Sequence, residues 1–309
     1  MTKHLRFLTL LLLVTTSVAT AEPLRIVASI KPVHSLVAGI TQGISEPELL
    51  MSSNQSPHHY SLRPSERRML AEADLIFWIG PGMESFMPRL LNSLDNKNKA
   101  VSLIESQGLK LIPIRAAGDN HSDHDHDEHD GGEAEQEPSR IDAHIWLDSH
   151  NTDILVDAIS QQIIRLDPEH RQQYLANSQR LHDRIAQLRK TLQQSLNAIK
   201  ISFLTYHDGY QYFETEFGLH NTGFITTTEL QPGARHIIDL KKTIKEKNIE
   251  CVFYDAPAEP ALLKSLLANS QARTFMLDPV GMLIPPGEDN WLKIMHSLAD
   301  QFINCQQHL

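Results

Sequence analysis

The feature that most constrains this chain is a long helical pattern between two stretches in which strand-like and helix-like segments alternate. It begins at Asp167 and Pro168, a pair typical of a helix N-terminus, and continues to about residue 199. Its apolar residues recur mostly at steps of three and four and define one face: Leu175, Leu181, Ile185, Leu188, Leu192, Leu196 and Ile199. About 32 helical residues are about 48 Å long. A coiled coil would show a similar stripe, but the flanking segments favour a rigid linking helix, residues 167–199, between two lobes with a ligand cleft between them.

Four strand candidates lie on each side of this helix. In the first lobe, residues 22–166, they are 24–30, 47–51, 74–80 and 100–104. In the second lobe, residues 200–309, they are 201–206, 220–226, 250–255 and 272–277. Helical segments lie between them, near 32–43, 64–73, 84–94, 209–217, 234–247, 258–269 and 288–304. This alternation predicts an α/β fold with one mostly parallel sheet per lobe, flanked by helices.

The N-terminus has the pattern of a secretory signal peptide. Lys3 and Arg6 precede an apolar run at 7–14 that is too short to span a bilayer, and the small residues 19–21 form a cleavage site. We therefore expect a signal peptide at 1–21, cleaved after Ala21, and an exported mature protein. An uncleaved membrane anchor is the alternative.

Composition excludes some classes of function. Of the 309 residues, 41% are hydrophobic and 21% are charged, which is enough to form a core. The net charge of −10 argues against a nucleic-acid partner, because phosphate binding requires a basic face. Histidine is unusually frequent, with 17 residues against 13 lysines, and it is the commonest metal-binding side chain. The composition raises a metal-binding hypothesis, although scattered surface histidines would give the same count.

The segment 116–139 fits neither lobe. Between Asp119 and Glu137 it has nine acidic residues and no Lys or Arg. Four histidines are interleaved with these carboxylates: His121, His124, His126 and His129. We predict an acidic loop without a core that binds metal ions weakly. A solubilising insertion is the alternative, but the interleaving favours metal capture.

The two cysteines allow one disulfide. Cys251 begins a strand candidate, and Cys305 follows the last helical pattern. A single pair in an exported chain is most simply a disulfide that ties the last helix to a strand of the second lobe. A two-thiol metal site is the alternative, since His308 lies three residues beyond Cys305.

Three further histidines are candidates for a tight metal site. His58 follows the second strand candidate, His144 follows the acidic loop, and His207 ends the first strand of the second lobe. Ligands in doubly wound folds cluster at such strand ends. Spacing alone cannot bring residues this far apart together, and any single histidine is more often an ordinary surface or loop residue.

Eight motifs, spread over essentially the whole mature chain, carry a family resemblance. In order they are ASIKPVHSLVA, HxYSLRPS, ADLIFWIGPGME, HIWLD, YHDGYQYFE, ELQPGAR, CVFYD and LDPVG, with the acidic His loop before HIWLD. Together they resemble the metal-binding cluster of ABC-transporter solute-binding proteins, and within it the periplasmic high-affinity zinc-uptake members. The resemblance implies two four-stranded lobes joined by a long helix, with a metal ion between them. It also implies the disulfide between Cys251 and Cys305.

The resemblance implies His58, His144 and His207 as zinc ligands. In manganese or iron relatives the position of His207 is typically a Glu, and an Asp matching Asp278 ligates the metal. A third imidazole favours zinc, in keeping with ligand preferences. A manganese- or iron-binding member of the same family remains the alternative.

The sequence leaves the identity of the fourth ligand open. Some zinc members have a Glu immediately before the first His, where this chain has Pro57, which has no ligating side chain. Water or Asp278 could complete the tetrahedron, and Asp278 could instead act as a cap or as an acceptor that orients a His. His59 is a weaker candidate, because adjacent residues in an extended loop point apart. His34 is expected to pack on the first helix, and His150 is left without a role.

The resemblance implies binding and delivery rather than catalysis. The loop would collect Zn²⁺, the three-His site would hold it, and a membrane permease with a cytoplasmic ATPase would receive it. We expect a monomer. The chain has no P-loop for ATP hydrolysis. A secreted zinc hydrolase is disfavoured because HExxH is absent and no Glu is placed as a general base; an adhesin or a metal buffer is a further alternative.

Overall fold

The computed structural model describes residues 23–52, 56–94, 99–115, 141–226, 232–255 and 260–309. The predicted signal peptide and the acidic His loop with His121, His124, His126 and His129 lie outside the described residues.

The first lobe contains a four-stranded parallel sheet. Its strands are β1 (Ile26–Ala28), β2 (Glu48–Leu49), β3 (Leu75–Trp78) and β4 (Ala100–Ser102), in the order β2-β1-β3-β4. Every residue of β1 and β3 is buried, as is typical of parallel strands covered on both faces. Three helices flank this sheet: α1 (Lys31–Thr41), α2 (Pro64–Glu72) and α3 (Met87–Ser93).

The second lobe repeats this arrangement. Its strands are β5 (Phe203–His207), β6 (Asn221–Thr226), β7 (Cys251–Asp255) and β8 (Arg273–Leu277), in the order β6-β5-β7-β8, again all parallel. Its helices are α6 (Gln211–Phe217), α7 (Ala234–Glu246), α8 (Pro260–Leu267) and α9 (Asn290–Gln307). The predicted α/β class, with a four-stranded parallel sheet in each lobe, is confirmed.

Among the described residues, two α-helices rather than one lie between the two sheets along the chain. α4 (Ser149–Leu166) was not expected from the sequence, and the linking helix α5 spans Arg171–Leu196. Asp148 begins α4, because its carboxylate accepts hydrogen bonds from the backbone N–H groups of the next turn, at 2.8 and 3.0 Å. The predicted helix start at Asp167 is therefore wrong: Asp167 ends α4 and accepts a hydrogen bond from Tyr174.

α5 packs against both lobes. Its buried face includes Leu181, Ile185, Leu188, Leu192 and Leu196, as the sequence pattern predicted. At its first turn the buried residue is Tyr174, whereas the predicted Leu175 is 42% exposed. α5 contacts α1 and α4 on one side and α6 and α9 on the other. One continuous hydrophobic core therefore runs from the first sheet into the second.

A disulfide joins Cys251, the first residue of β7, to Cys305 in α9, with the two Cα atoms 6.3 Å apart. The predicted pairing, and the tie between the last helix and a strand, are confirmed. Within the described ranges, no helix combines the length and the apolar character that a bilayer span requires.

Candidate metal centre

The structure brings together the three histidines that the sequence analysis singled out. His58 lies in a single 3₁₀ turn (Pro57–His59), where Ser56 accepts a hydrogen bond from its backbone N–H at 3.3 Å. His144 directly precedes another 3₁₀ turn (Ile145–Leu147), and His207 is the last residue of β5. Two of these side chains come from the first lobe and one from the second, so the cluster lies between the lobes.

The three imidazoles are close enough to share one ion. Their ring centroids are 5.0 Å apart for His144 and His207, and 5.5 and 5.6 Å from His58 to these two rings. One nitrogen of each ring lies within 4.8 Å of the others, and among the described residues this is the one such group of three or more His, Cys, Asp or Glu. His144 and His207 are buried and His58 is half-buried.

Two carboxylates, one buried and one half-buried, orient two of the rings. Nδ1 of His144 lies 2.7 Å from Oδ1 of Asp142, and Nδ1 of His207 lies 3.2 Å from Oδ2 of Asp255. Because a carboxylate only accepts hydrogen bonds, Nδ1 of each ring is the protonated nitrogen and Nε2 is the nitrogen suited to a metal ion. Burial acts to raise the pKa of Asp142, but His144 and His207 hold that pKa below its ordinary value.

Each of these carboxylates has a second partner in the segment that follows His207. Tyr210 donates its hydroxyl hydrogen to Oδ1 of Asp255 at 2.5 Å, and Gln211 donates from Nε2 to Oδ2 of Asp142 at 3.1 Å. No role for these four residues was predicted from the sequence. The YHDGYQYFE and CVFYD motifs contain three of them, and a carboxylate placed at the end of a strand was the available signal.

Gly209 leaves room for the two rings to approach each other. A Cβ atom at this position would lie 2.6 Å from Cε1 of His207 and 2.9 Å from Nε2 of His144. Distances this short are excluded for carbon against carbon or nitrogen. A residue with a side chain at 209 would therefore displace one of the two imidazoles.

The cavity at this cluster is small. Its volume is about 20 Å³, and its lining joins the three histidines to Met83, Trp146 and Pro279. About 10–15 Å³ is the least that holds one water molecule, so the cavity suits a single ion rather than an organic molecule.

Asp278, the fourth predicted ligand, is engaged elsewhere. Its two carboxylate oxygens accept hydrogen bonds from the backbone N–H groups of Met282 and Leu283, at 2.7 and 2.8 Å. It is not a member of the group of closely spaced ligand atoms. Ligation by Asp278 stays a prediction, and it would compete with these two hydrogen bonds.

Residues 278–284, here called the wall segment, belong to the second lobe but are tied to the first. Nζ of Lys31, the first residue of α1, donates to the carbonyls of Gly281, Met282 and Ile284 at 2.8, 2.8 and 3.0 Å. The indole N–H of Trp146 donates to the carbonyl of Pro279 at 2.9 Å. The wall of the cavity is therefore held against the lobe that supplies His58 and His144.

Two other histidines lie apart from the cluster. His34 packs on α1, as predicted, with Nε2 3.1 Å from the carbonyl oxygen of Pro47, and burial lowers its pKa. His150 is exposed in the first turn of α4.

Comparison with known proteins gives a consistent result. The family model described as zinc-uptake complex component A, periplasmic (ZnuA), matches residues 26–305. The high-affinity zinc uptake system protein ZnuA of Brucella abortus is 33% identical over 304 residues, with 91% of each chain covered. The protein of the same name from Yersinia pestis is 30% identical, with 91% of this chain and 90% of the relative covered.

Solved structures show the same fold. A crystal structure of ZnuA covers 92% of this chain and 99% of its own, with a TM-score of 0.75 and 22% identity. The solute-binding protein FpvC of Pseudomonas aeruginosa, solved in complex with Mn²⁺, covers 93% of this chain and 99% of its own, with a TM-score of 0.76 and 17% identity. At these identities the likeness concerns the fold alone.

Proposed function

Because the chain belongs to the ZnuA family, the periplasmic component A of zinc-uptake complexes, we propose that His58, His144 and His207 bind Zn²⁺ between its two lobes. The bound ion is then delivered to a membrane permease of the ABC type, whose cytoplasmic ATPase drives the transfer. The observation that carries the proposal is the group of three imidazole nitrogens, each within 4.8 Å of the others, around a cavity of about 20 Å³.

The chemistry of these side chains favours zinc. Zinc is typically bound in a tetrahedron by nitrogen or sulfur ligands, and three histidines with one open position are a common set. Manganese prefers oxygen ligands, whereas the nearest carboxylates, Asp142 and Asp255, accept hydrogen bonds from the outer nitrogens of the rings. We propose a water molecule as the fourth ligand, because Asp278 already caps two backbone N–H groups.

The same arrangement supports a binding role without catalysis. A zinc hydrolase needs a carboxylate or another base within reach of the metal-bound water. Asp142 and Asp255 each accept one hydrogen bond from an imidazole and another from Gln211 or Tyr210, which suits orientation of the ligands rather than proton transfer. We propose that the protein is not an enzyme and that it acts as a monomer.

The remaining parts of the proposal rest on the sequence. A signal peptide at 1–21 would direct the chain to the periplasm, where the relatives of this family act. The acidic loop, with His121, His124, His126 and His129, would collect Zn²⁺ weakly and raise its local concentration near the cleft.

Competitive metal titration of the mature protein tests the proposal. The wild type should bind one Zn²⁺ tightly, and His58→Ala, His144→Ala and His207→Ala should each abolish this tight binding. Deletion of 119–137 should remove only additional, weaker zinc. Full zinc affinity in the His207→Ala variant would refute the site, and a tight preference for Mn²⁺ in the wild type would support the manganese alternative instead.

A further inference from the structure

We infer that Tyr210 and Gln211 are positioning residues of the metal site, because each holds a carboxylate that orients one histidine ligand. Tyr210 holds Asp255, which orients His207 within the second lobe. Gln211 holds Asp142, which orients His144 in the first lobe. The inference rests on the proposed function, because it concerns how this site is held in a geometry suited to Zn²⁺.

The first relay lies within the second lobe. Asp255 uses its Oδ2 atom to accept from Nδ1 of His207, at 3.2 Å, and its Oδ1 atom to accept from the hydroxyl of Tyr210, at 2.5 Å. Tyr210 is fully buried, so water cannot readily replace its hydroxyl group. Both oxygens of the carboxylate are therefore held, and the plane of the carboxylate is fixed relative to the ring.

The second relay crosses between the lobes. Asp142 uses Oδ1 to accept from Nδ1 and from the backbone N–H of His144, at 2.7 and 3.0 Å, and its Oδ2 atom accepts from Nε2 of Gln211 at 3.1 Å. Nε2 of Gln211 also donates to the carbonyl oxygen of Pro113, at 3.3 Å. Gln211 is 7% exposed and Asp142 is 3% exposed, so this contact is also shielded from water. A first-lobe ligand thus takes its orientation from a second-lobe side chain.

The two donors are consecutive, which makes them one unit. Tyr210 is the N-cap residue of α6 and Gln211 is its first residue, three and four positions after His207 at the end of β5. The turn from β5 into α6 therefore provides one ligand, the clearance at Gly209 and the anchors of two orienting carboxylates. Any rotation of this turn would change the directions of His144 and His207 together.

Loss of either donor would act by allowing the orienting carboxylate to rotate. A carboxylate with only one oxygen held can turn about its Cβ–Cγ bond, and the imidazole that depends on it can then turn as well. Residues in direct contact with metal-ligating histidines typically change metal affinity by 10–100-fold when they are altered. Tyr210 and Gln211 act one step further out, so we expect each to change zinc affinity by about 3- to 10-fold.

The test uses near-isosteric variants of the full chain, Tyr210→Phe and Gln211→Met, which remove the donors and keep the volume. Zinc affinity is measured by competition with a chelator, and the visible absorption spectrum of the Co²⁺-loaded protein reports ligand geometry. Both variants should bind zinc more weakly and change the Co²⁺ spectrum.

Tyr212→Phe is the matched control. The hydroxyl of Tyr212 lies on the same helix and also links the lobes, but it donates to the backbone carbonyl of Asp142, at 2.9 Å, and accepts from the N–H of Ile112. Its loss should leave the Co²⁺ spectrum unchanged even where it lowers thermal stability.

A double-mutant cycle separates positioning from general structural support. If Gln211 acts through Asp142, Gln211→Met should add nothing to the loss caused by Asp142→Asn, whereas it should add fully to Asp255→Asn. Tyr210→Phe should show the opposite pattern. If Gln211→Met does not fold, Gln211→Asn, which retains an amide that is one methylene too short, takes its place in the cycle.

The outcomes are distinct. Wild-type affinity and an unchanged Co²⁺ spectrum in both variants, while His207→Ala still abolishes tight binding, would overturn the inference and leave the proposed function intact. Full additivity of Gln211→Met with Asp142→Asn would also overturn it. A wild type whose zinc binding does not depend on the three histidines would overturn the proposed function itself.

Discussion

Glu216 of the second lobe caps a helix of the first: one of its carboxylate oxygens accepts a hydrogen bond from the backbone N–H of Ser149, at 2.8 Å. The other oxygen accepts from the hydroxyl of Ser149, and Arg189 of α5 lies 3.9 Å away. The carboxylate is 3% exposed. A buried anion at the N-terminus of α4 therefore joins the lobes on the side of the linking helix.

Replacement of this carboxylate should destabilise the whole chain. We expect Glu216→Ala to lower the free energy of unfolding by about 2–3 kcal/mol, since the backbone N–H and the hydroxyl of Ser149 both lose a charged acceptor. Chemical denaturation of the metal-free protein measures this. Glu72→Ala, which breaks an exposed ion pair with Arg25, should cost less than about 1 kcal/mol. Equal effects of the two substitutions would contradict the prediction.

The orienting carboxylates should matter more for zinc than for folding. Asp142→Asn and Asp255→Asn should each weaken zinc binding about 10- to 100-fold, because the amide disrupts the acceptor pair that fixes the imidazole. Chelator competition gives the affinity. Asp153→Asn is the control, since Asp153 accepts from His182 and Arg189 outside the metal cluster. A control variant that loses as much affinity would point to a general loss of structure instead.

The fourth ligand can be distinguished by Asp278→Asn. If Asp278 caps the wall segment and water completes the site, this change should lower thermal stability and weaken zinc binding by less than about tenfold. Loss of a direct ligand would have a far larger effect, comparable with that of His58→Ala. Zinc titrations of Asp278→Asn and His58→Ala under identical conditions decide between these outcomes. A loss of zinc affinity in Asp278→Asn as large as that in His58→Ala would identify Asp278 as a ligand.

The tie between Lys31 and the wall segment should control the rate of metal exchange. Lys31→Met removes three donors to backbone carbonyls, so the wall can move away from the cavity. We expect the release of Zn²⁺ to a chelator to become about tenfold faster, the change that corresponds to about 1.4 kcal/mol in a barrier. Lys242→Met, on an exposed face of α7, should release zinc at the wild-type rate. An unchanged rate in Lys31→Met would rule out this role.

Stability should depend on pH through Glu84. This residue is fully buried and burial raises its pKa to about 7, although Ser29 and the N–H groups of Ile79 and Gly80 donate hydrogen bonds to it. Since the folded pKa lies above the unfolded value of 4.5, the stabilising contribution is full below pH 4.5 and is lost as the pH rises towards 7. The loss corresponds to about 3 kcal/mol at most.

Unfolding experiments on the metal-free protein between pH 5 and 8 measure how the free energy of unfolding changes with pH. In Glu84→Gln, which cannot ionise, the free energy of unfolding should decline less over that pH range than in the wild type, whatever the absolute stability of the variant. A slope identical to that of the wild type would show that other groups cause the decline.

The sequence predicted the sheets well because strand patterns are local. All eight strand candidates overlap observed strands, since most of them are short apolar runs bounded by a turn or helix signal. α4 was missed although its signals were present, namely Asp148 as a cap and a stripe that includes Leu155, Ile159 and Ile163. The predicted start of the linking helix was misplaced for a different reason: the Asp167–Pro168 pair has the pattern of a helix N-terminus but lies in the connection between α4 and α5.

The candidate metal site was predictable only in part. The positions of His58, His144 and His207 in the chain made them candidates, and only the family resemblance joined them into one site, because no spacing rule joins residues from three separate segments. Their carboxylate partners follow from three-dimensional packing: Asp255 lies 48 residues beyond His207, and Gln211 lies 69 residues beyond Asp142. Hydrogen bonds over such separations leave no periodic signal in a single sequence.

The disulfide has a consequence beyond the anchoring of α9. β7 begins at Cys251 and ends at Asp255, so the covalent link and the acceptor for His207 occupy opposite ends of one five-residue strand. In the reduced chain, hydrogen bonds and packing alone would hold that strand. The orientation of the His207 ring would then be less well fixed. The covalent link between two residues remote from the cavity therefore anchors the strand whose last residue contacts the His207 ring, and it supports the geometry of the proposed metal ligand.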